Sequence, residues 1–350
     1  MLSLESEQPF QSGRIAQGVE RMEMKGLTLT IITSRVSGGL NYGETFGNVS
    51  TLKKLTLGDN TQVVYVSDKA LRYSLKRWLK ENRDWRLMDE QIKDLVSKDK
   101  NKESKLDVDS FGKYLIKEYH EFDLFGGLFT NLKGVEPKKG IDNTIKRTSV
   151  AKLTYAFSLT PYKGDADFLN NIDAFNRYIK HVEDKEEQVI AYTEQHTAHY
   201  VYTLAVDLDR VGVWEKEDRS NEDVLELSEK VQRVKDLLDA VFYLTRSIKG
   251  RQENLSPIFV IGGVFSVKNP FFADAIEVCE EGGKLRLNTE RLESVLNQVP
   301  EKDKVVCGML SGFFANEEEI KSKLKCMELR EAFETLKCLV KSAYGVTEVT

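Results

Sequence analysis

Four glycines, Gly38, Gly39, Gly43 and Gly47, fall within ten residues, directly behind an alternating β-branched run from Leu27 to Thr33. Glycine adopts positive φ at little cost and lets other groups approach the main chain, so a regular element must break here. The run before it reads as a strand. Such a loop can aim several N–H groups at one anion. Ser67 to Arg83 then reads as a helix with Ser67 as its N-cap. Leu71, Leu75, Trp78 and Leu79 form its apolar stripe, and Lys69, Arg72, Lys76, Lys80 and Arg83 step along a second, basic one. That stripe covers about 20 Å, enough to meet several phosphates of one strand.

The net charge of the chain is −5, which argues mildly against a duplex-DNA binder. Its distribution says more. Residues 69–86 hold seven Lys/Arg against Glu81 and Asp84, whereas residues 217–239 are acidic in excess. A bipolar surface suits a polyanion on one side and a second copy of the chain on another. A second basic segment holds Lys133, Lys138, Lys139, Lys146 and Arg147.

Downstream, Ser149 to Thr160 alternates, placing Leu153, Tyr155, Phe157 and Leu159 on one face of a strand. Residues 161–195 lack clear periodicity and read as an excursion. Gln195 to Asp207 reads as the return strand, with His196, Ala198, Tyr200, Tyr202, Leu204 and Val206 on one face. The longest helix is expected from Asn221, with Gly250 past its end. Pro257 to Phe265 is a buried strand, a strand and a helix capped by Thr289 follow, then a strand at 304–311, and Asn316 opens a final helical region with capping-box spacing. The order strand, helices, strand, strand, helix, strand predicts an α+β chain with a ferredoxin-like (RRM-like) βαββαβ core.

Catalytic signatures are sparse. The glycine stretch lacks the terminal Gly-Lys-Ser/Thr of a Walker loop and the spacing of a dinucleotide fingerprint. His196 and His199, three apart on a strand, point to opposite faces and make a poor metal pair. Asp207 and Asp209 share a strand face and could hold Mg²⁺ only with a third carboxylate. Glu44 is the sole acid in the glycine loop, a general base without a partner. No cofactor or metal site is expected. Cys279, Cys307, Cys326 and Cys338 form no Cys-x-x-Cys pair and fit reduced thiols in a cytoplasmic protein. No apolar run reaches the ~20 residues of a membrane span, and residues 1–23 are expected to be a disordered extension.

A binding role fits better. Single-stranded nucleic acid is held by cationic grooves with interleaved aromatics. Arg35 and Tyr42 flank the glycines; Lys53 and Lys54, the basic stripe, Lys146 and Arg147 follow. The aromatic ribonucleoprotein motif is absent, so contact is expected through phosphates.

Taken together, Leu40-Asn-Tyr-Gly-Glu44 with Gly47-Asn48, Val66-Ser-Asp-Lys-Ala-Leu-Arg-Tyr73, Asp123-Leu-Phe-Gly126 and Lys146-Arg-Thr-Ser149 resemble the DevR-type CRISPR-associated proteins over about residues 24–270. These are the crRNA-binding spine subunits of type I-B Cascade. The resemblance implies a hand: a palm of residues 24–50, 145–160 and 196–350, helical fingers at 51–144, and a thumb hairpin at 161–195. It implies copies joined head to tail along one crRNA, with a target DNA strand and other Cascade subunits as further partners and no membrane. Arg35, Asn41, Lys69, Arg72, Arg77, Lys146 and Arg147 would touch the guide. Related type III subunits cut RNA with an Asp in the loop after the first strand; this loop has none, which implies a non-catalytic role. A metal-dependent endoribonuclease and a DNA-binding autoregulator are the alternatives.

Overall fold

The computed structural model describes residues 24–88, 106–130, 135–136, 144–170, 174–182, 190–216, 220–300 and 303–346. The expected extension at 1–23, the charged stretch at 89–105, and Lys133, Lys138 and Lys139 lie outside the described residues.

The chain is α+β. The strand Gly26–Thr33 lies inside a nine-stranded sheet, with all eight residues buried. It pairs antiparallel with Tyr200–Asp207 on one side and Pro257–Phe265 on the other. Ala151–Leu153 and Ala156–Ser158 lie beyond Tyr200–Asp207, followed by Gln62–Val66 and Lys54–Thr56. Lys304–Met309 and the short parallel strand Met327–Glu328 extend the sheet past Pro257–Phe265.

Period-two alternation divides the sheet between two cores. Leu27, Leu29 and Ile31 pack with Tyr202, Leu204 and Val206 against the helices Asp68–Arg83, Leu227–Phe242 and Leu329–Ala343. On the opposite face Ile32, Phe259 and Ile261 pack with Leu292 and Ile320, from the helices Thr289–Leu296 and Glu317–Leu324. Each such buried aliphatic contributes roughly 1.5–3 kcal/mol. A third cluster joins Phe111, Leu115, Ile116 and Phe122, from the helices Val108–Glu118 and His120–Phe125, to Ile145 and Trp214.

Several expectations need correction. The strand at 149–160 is broken at Thr154–Tyr155, where Thr154 exchanges hydrogen bonds with the main chain of Thr203. The break shifts the phase, so Ala156 and Ser158 point inward and Tyr155 is exposed. Asn221–Asp223 is a strand, and the helix starts at Leu227. Gly250 sits in a hairpin joining Thr245–Ile248 to Arg251–Asn254, where it and Lys249 have positive φ. Asn288, not Thr289, caps its helix. The final helical region is two helices, separated by Met327–Glu328.

The excursion contains the strands Ala166–Asn170 and Ile190–Glu194 and the helix Ala174–Val182. Its strands join a four-stranded sheet with Val49–Leu52 and Tyr42–Phe46. The glycine stretch is therefore largely a β-hairpin rather than an open cradle of N–H groups.

Candidate nucleic-acid interface

The basic helix forms as its pattern predicts. Ser67 accepts a hydrogen bond from Ala70 N, and Leu71, Leu75 and Leu79 are buried. Most of its stripe, however, already has acidic partners. Arg72 meets Asp68 at 3.5 Å and lies over the Phe125 ring; Lys76 bonds Glu121 at 2.5 Å; Arg77 bonds Glu81 at 2.8 Å; Arg83 bonds Asp239 at 2.8 Å. The acidic segment after residue 217 neutralises the end of this helix from within the same chain.

Arg147 leaves the set of candidate ligands. Its guanidinium is 1% exposed and binds the Asp123 carboxylate at 2.6 Å. Asp123 also accepts from Arg233 at 2.9 Å and from the amide of Gly212. Burying a charge without partners is costly, so this interior network consumes the Arg147 cation that sequence alone presents as free. Lys146, next to it on the strand Ile145–Arg147, is exposed and has no carboxylate partner among the described residues. Asn41 is buried, and its amide donates to Ser67 Oγ, tying the loop to the helix cap.

The cations without acids gather around the glycine stretch. Among the described residues Arg35, Lys53 and Lys69 make no ion pair with a carboxylate; Arg35 Nε lies 3.4 Å from His199 Nε2. His199 Nδ1 donates to the Thr33 carbonyl, which leaves Nε2 as the acceptor. Burial pushes the His199 imidazole below its ordinary range, in keeping with that neutral form.

The sequence reading missed the hairpin Thr245–Asn254. Arg246 Nε donates to the Leu40 carbonyl at 2.7 Å, and its Nη1 to the Ala70 carbonyl and Ser74 Oγ at 3.0 Å each. One guanidinium thus fastens hairpin, glycine stretch and basic helix together. All three acceptors are neutral, and burial pushes the guanidinium pKa down. Lys249 Nζ lies 3.8 Å from the centroid of the Tyr42 ring. Arg251 reaches Gly38, and a Cβ there would fall 2.5 Å from its Nη2. A Cβ on Gly39 would fall 2.2 Å from the Tyr42 hydroxyl. The glycine pair is required because these two side chains fill the space a Cβ needs. The available signal was the Lys249-Gly250 dipeptide, a two-residue turn between cationic positions.

The alternative catalytic groups are otherwise engaged. Asp207 accepts from Lys152 at 2.6 Å and Arg210 at 3.0 Å. Burial raises its carboxyl pKa, but these hydrogen bonds outweigh burial and hold it below the ordinary range. Asp209 lies on the 3-10 turn Leu208–Arg210, off the expected strand face, and pairs with Lys268. Glu44 is exposed on Tyr42–Phe46. His196 and His199 are both buried, on separate carbonyl partners, Thr160 and Thr33. Among the described residues no three His, Cys, Asp or Glu side chains converge as metal ligands.

A family model described as "CRISPR-associated negative auto-regulator DevR/Csa2" matches residues 35–281, more than half of the chain. The chain belongs to the DevR/Csa2 family. The matched segment of this DevR/Csa2 chain contains the glycine stretch, the basic helix and the hairpin with Arg246, Lys249 and Arg251. A solved chain titled "CRISPR RNA-guided surveillance complex, pre-nicking" resembles it in fold, with a TM-score of 0.55 at 13% identity over 91% of this chain and 100% of that one. Another, titled "CRISPR RNA-guided surveillance complex", gives 0.48 at 13% identity over 91% and 98%. No curated protein matches the sequence. Among the described residues no helix is long and apolar enough to cross a membrane.

Proposed function

We propose that this DevR/Csa2 chain is a non-catalytic crRNA-binding subunit that polymerises head to tail along the guide, forms the spine of a type I Cascade complex and supports hybridisation of target DNA. The observation that carries the proposal is the gathering of cations without acidic partners, Arg35, Lys53, Lys69, Arg246 and Lys249, around the glycine stretch of a DevR/Csa2 chain. A polyanion supplies the missing negative charge, and a single strand can follow a curved set of cations as a stiff duplex cannot.

In this reading the large sheet is a ferredoxin-like palm. Its strands Pro257–Phe265, Gly26–Thr33, Tyr200–Asp207 and Ala151–Leu153 stand in the order fourth, first, third, second. The fingers lie around the helices Val108–Glu118 and His120–Phe125, and the thumb is the excursion at 161–195. The titles of the solved neighbours support an RNA-guided assembly with other subunits. Chain ends and bends along the guide would be set by successive copies meeting through unlike surfaces, the arrangement that builds open helical assemblies.

The test is purification of the intact protein from cells that transcribe a guide. Recovery of a short RNA of uniform length supports the proposal. Recovery of protein free of RNA, or bound to a duplex operator instead, overturns it in favour of an autoregulator.

A further inference from the structure

We propose that Lys249 is a direct phosphate ligand of the bound single strand and that the Tyr42 ring is the positioning residue that holds it there. The proposal rests on the RNA-binding reading above and assigns a specific contact within it.

Lys249 occupies the left-handed region, φ +46°, at the tip of the hairpin, next to Gly250 at φ +76°. Its backbone is exposed, but its ammonium is directed back over the Tyr42 ring, 3.8 Å from the centroid. A flexible lysine loses considerable rotamer freedom when held this way. The cation–π contact supplies part of the compensation, roughly 0.5–1 kcal/mol at an exposed site. The Lys249 ammonium has no carboxylate partner among the described residues, and Arg251 is its near charged neighbour. Two adjacent cations without a shared acid repel each other, and an anion placed between them removes that repulsion. Tyr42 is itself fixed: its ring packs on Gly39, and its buried hydroxyl has no hydrogen-bond partner. The hydroxyl contributes nothing the ring does not, so the role of Tyr42 is to present a π face to Lys249. With one face so covered, the ring acts through lysine rather than as a platform for a base.

Burial and the nearby Arg251 lower the Lys249 pKa, the direction expected for an ammonium placed among cations.

The experiment measures the affinity of the full chain, freed of nucleic acid, for a labelled single-stranded RNA oligonucleotide across a salt series. Lys249→Asn suits the left-handed backbone. It is expected to weaken binding on the order of tenfold and to reduce the slope of log K against log salt by about 0.7. Tyr42→Leu is expected to reproduce much of the affinity loss, and to add little in the Lys249→Asn background. Tyr42→Phe is expected to bind like the wild type. Circular dichroism checks that each variant is folded, and a misfolded Tyr42→Leu leaves the decision to Lys249→Asn and Tyr42→Phe. A wild-type slope in folded Lys249→Asn overturns the assignment while leaving RNA binding intact. Failure of the wild-type chain to bind in a salt-dependent way overturns the RNA-binding reading itself.

Discussion

Arg147 and Asp123 meet at 2.6 Å with side chains that are 1% and 0% exposed, and Arg233 closes on the same carboxylate from a different helix. Two motif segments that read from the sequence as a turn and a ligand are therefore the two halves of one interior joint. Removing Asp123 would leave two buried guanidinium groups facing each other. Asp123→Ala is expected to destabilise the fold by about 3–5 kcal/mol, read as a lower denaturant midpoint. Arg147→Ala should do the same to a lesser degree, since Arg233 still neutralises the carboxylate. Folded Arg147→Ala that loses RNA affinity at unchanged stability would restore Arg147 to the interface.

Lys53 and Lys69 lack acidic partners among the described residues, whereas Lys76 is held by Glu121. Lys53→Glu with Lys69→Glu should reduce the RNA recovered on purification several-fold and leave thermal stability near that of the wild type. Lys76→Glu should instead set two carboxylates side by side and cost on the order of 1 kcal/mol of stability. Equal RNA loss in both, at equal stability, would return the interface to the whole helical stripe.

Gly39→Ala places a methyl 2.2 Å from the Tyr42 hydroxyl, and Gly38→Ala places one 2.5 Å from the Arg251 guanidinium. Gly38 also has φ +146°, a region side chains avoid. Both variants should lose RNA affinity, because Tyr42 and Arg251 must swing away. Gly47→Ala meets no atom within 4 Å, and its cost is the left-handed backbone alone. Unchanged binding in Gly39→Ala would show that the Tyr42 ring is free to relocate.

Acid should unfold the protein through its buried imidazoles. Burial first, then Arg233 and Arg86, pulls His120 from its ordinary 6.5 to about 4. His196 and His199 are lowered by burial as well. Each folded pKa lies below its unfolded value, so the unfolded chain binds more protons in between. Their stabilisation is present above pH 6.5 and is lost as pH falls toward 4. Replacing His120 by Phe should flatten that part of a melting-temperature profile; an unaltered profile would place the acid sensitivity elsewhere.

Hydrolysis offers a separate check. With Asp207 bound by Lys152 and Arg210, and Asp209 by Lys268, labelled RNA should survive incubation with the protein and Mg²⁺. Cleavage that EDTA stops would establish the ribonuclease.

The strand Gly26–Thr33 and the helix Asp68–Arg83 were legible because periodicity and a capping serine act locally. The faces of Tyr200 and Tyr202 were legible for the same reason, and both rings are core. Pairing of charges was not. Nothing near Arg147 in the chain announces Asp123, and the acids that neutralise Arg83 lie more than 150 residues away. The break at Thr154–Tyr155 was hidden because it depends on hydrogen bonding to Thr203 across the sheet. The hairpin with Arg246 was missed because its cations are scattered, and only folding brings them onto the glycines.

Tyr192 and Thr193 pair in parallel with Val49 and Ser50, and Glu194 grips both the Leu52 amide and the Lys54 ammonium. The excursion therefore cannot swing as a free arm. A tug on its tip is transmitted through these rungs to the two glycines beneath Tyr42 and Arg251, so whatever seizes the far end also resets the grip at the near one.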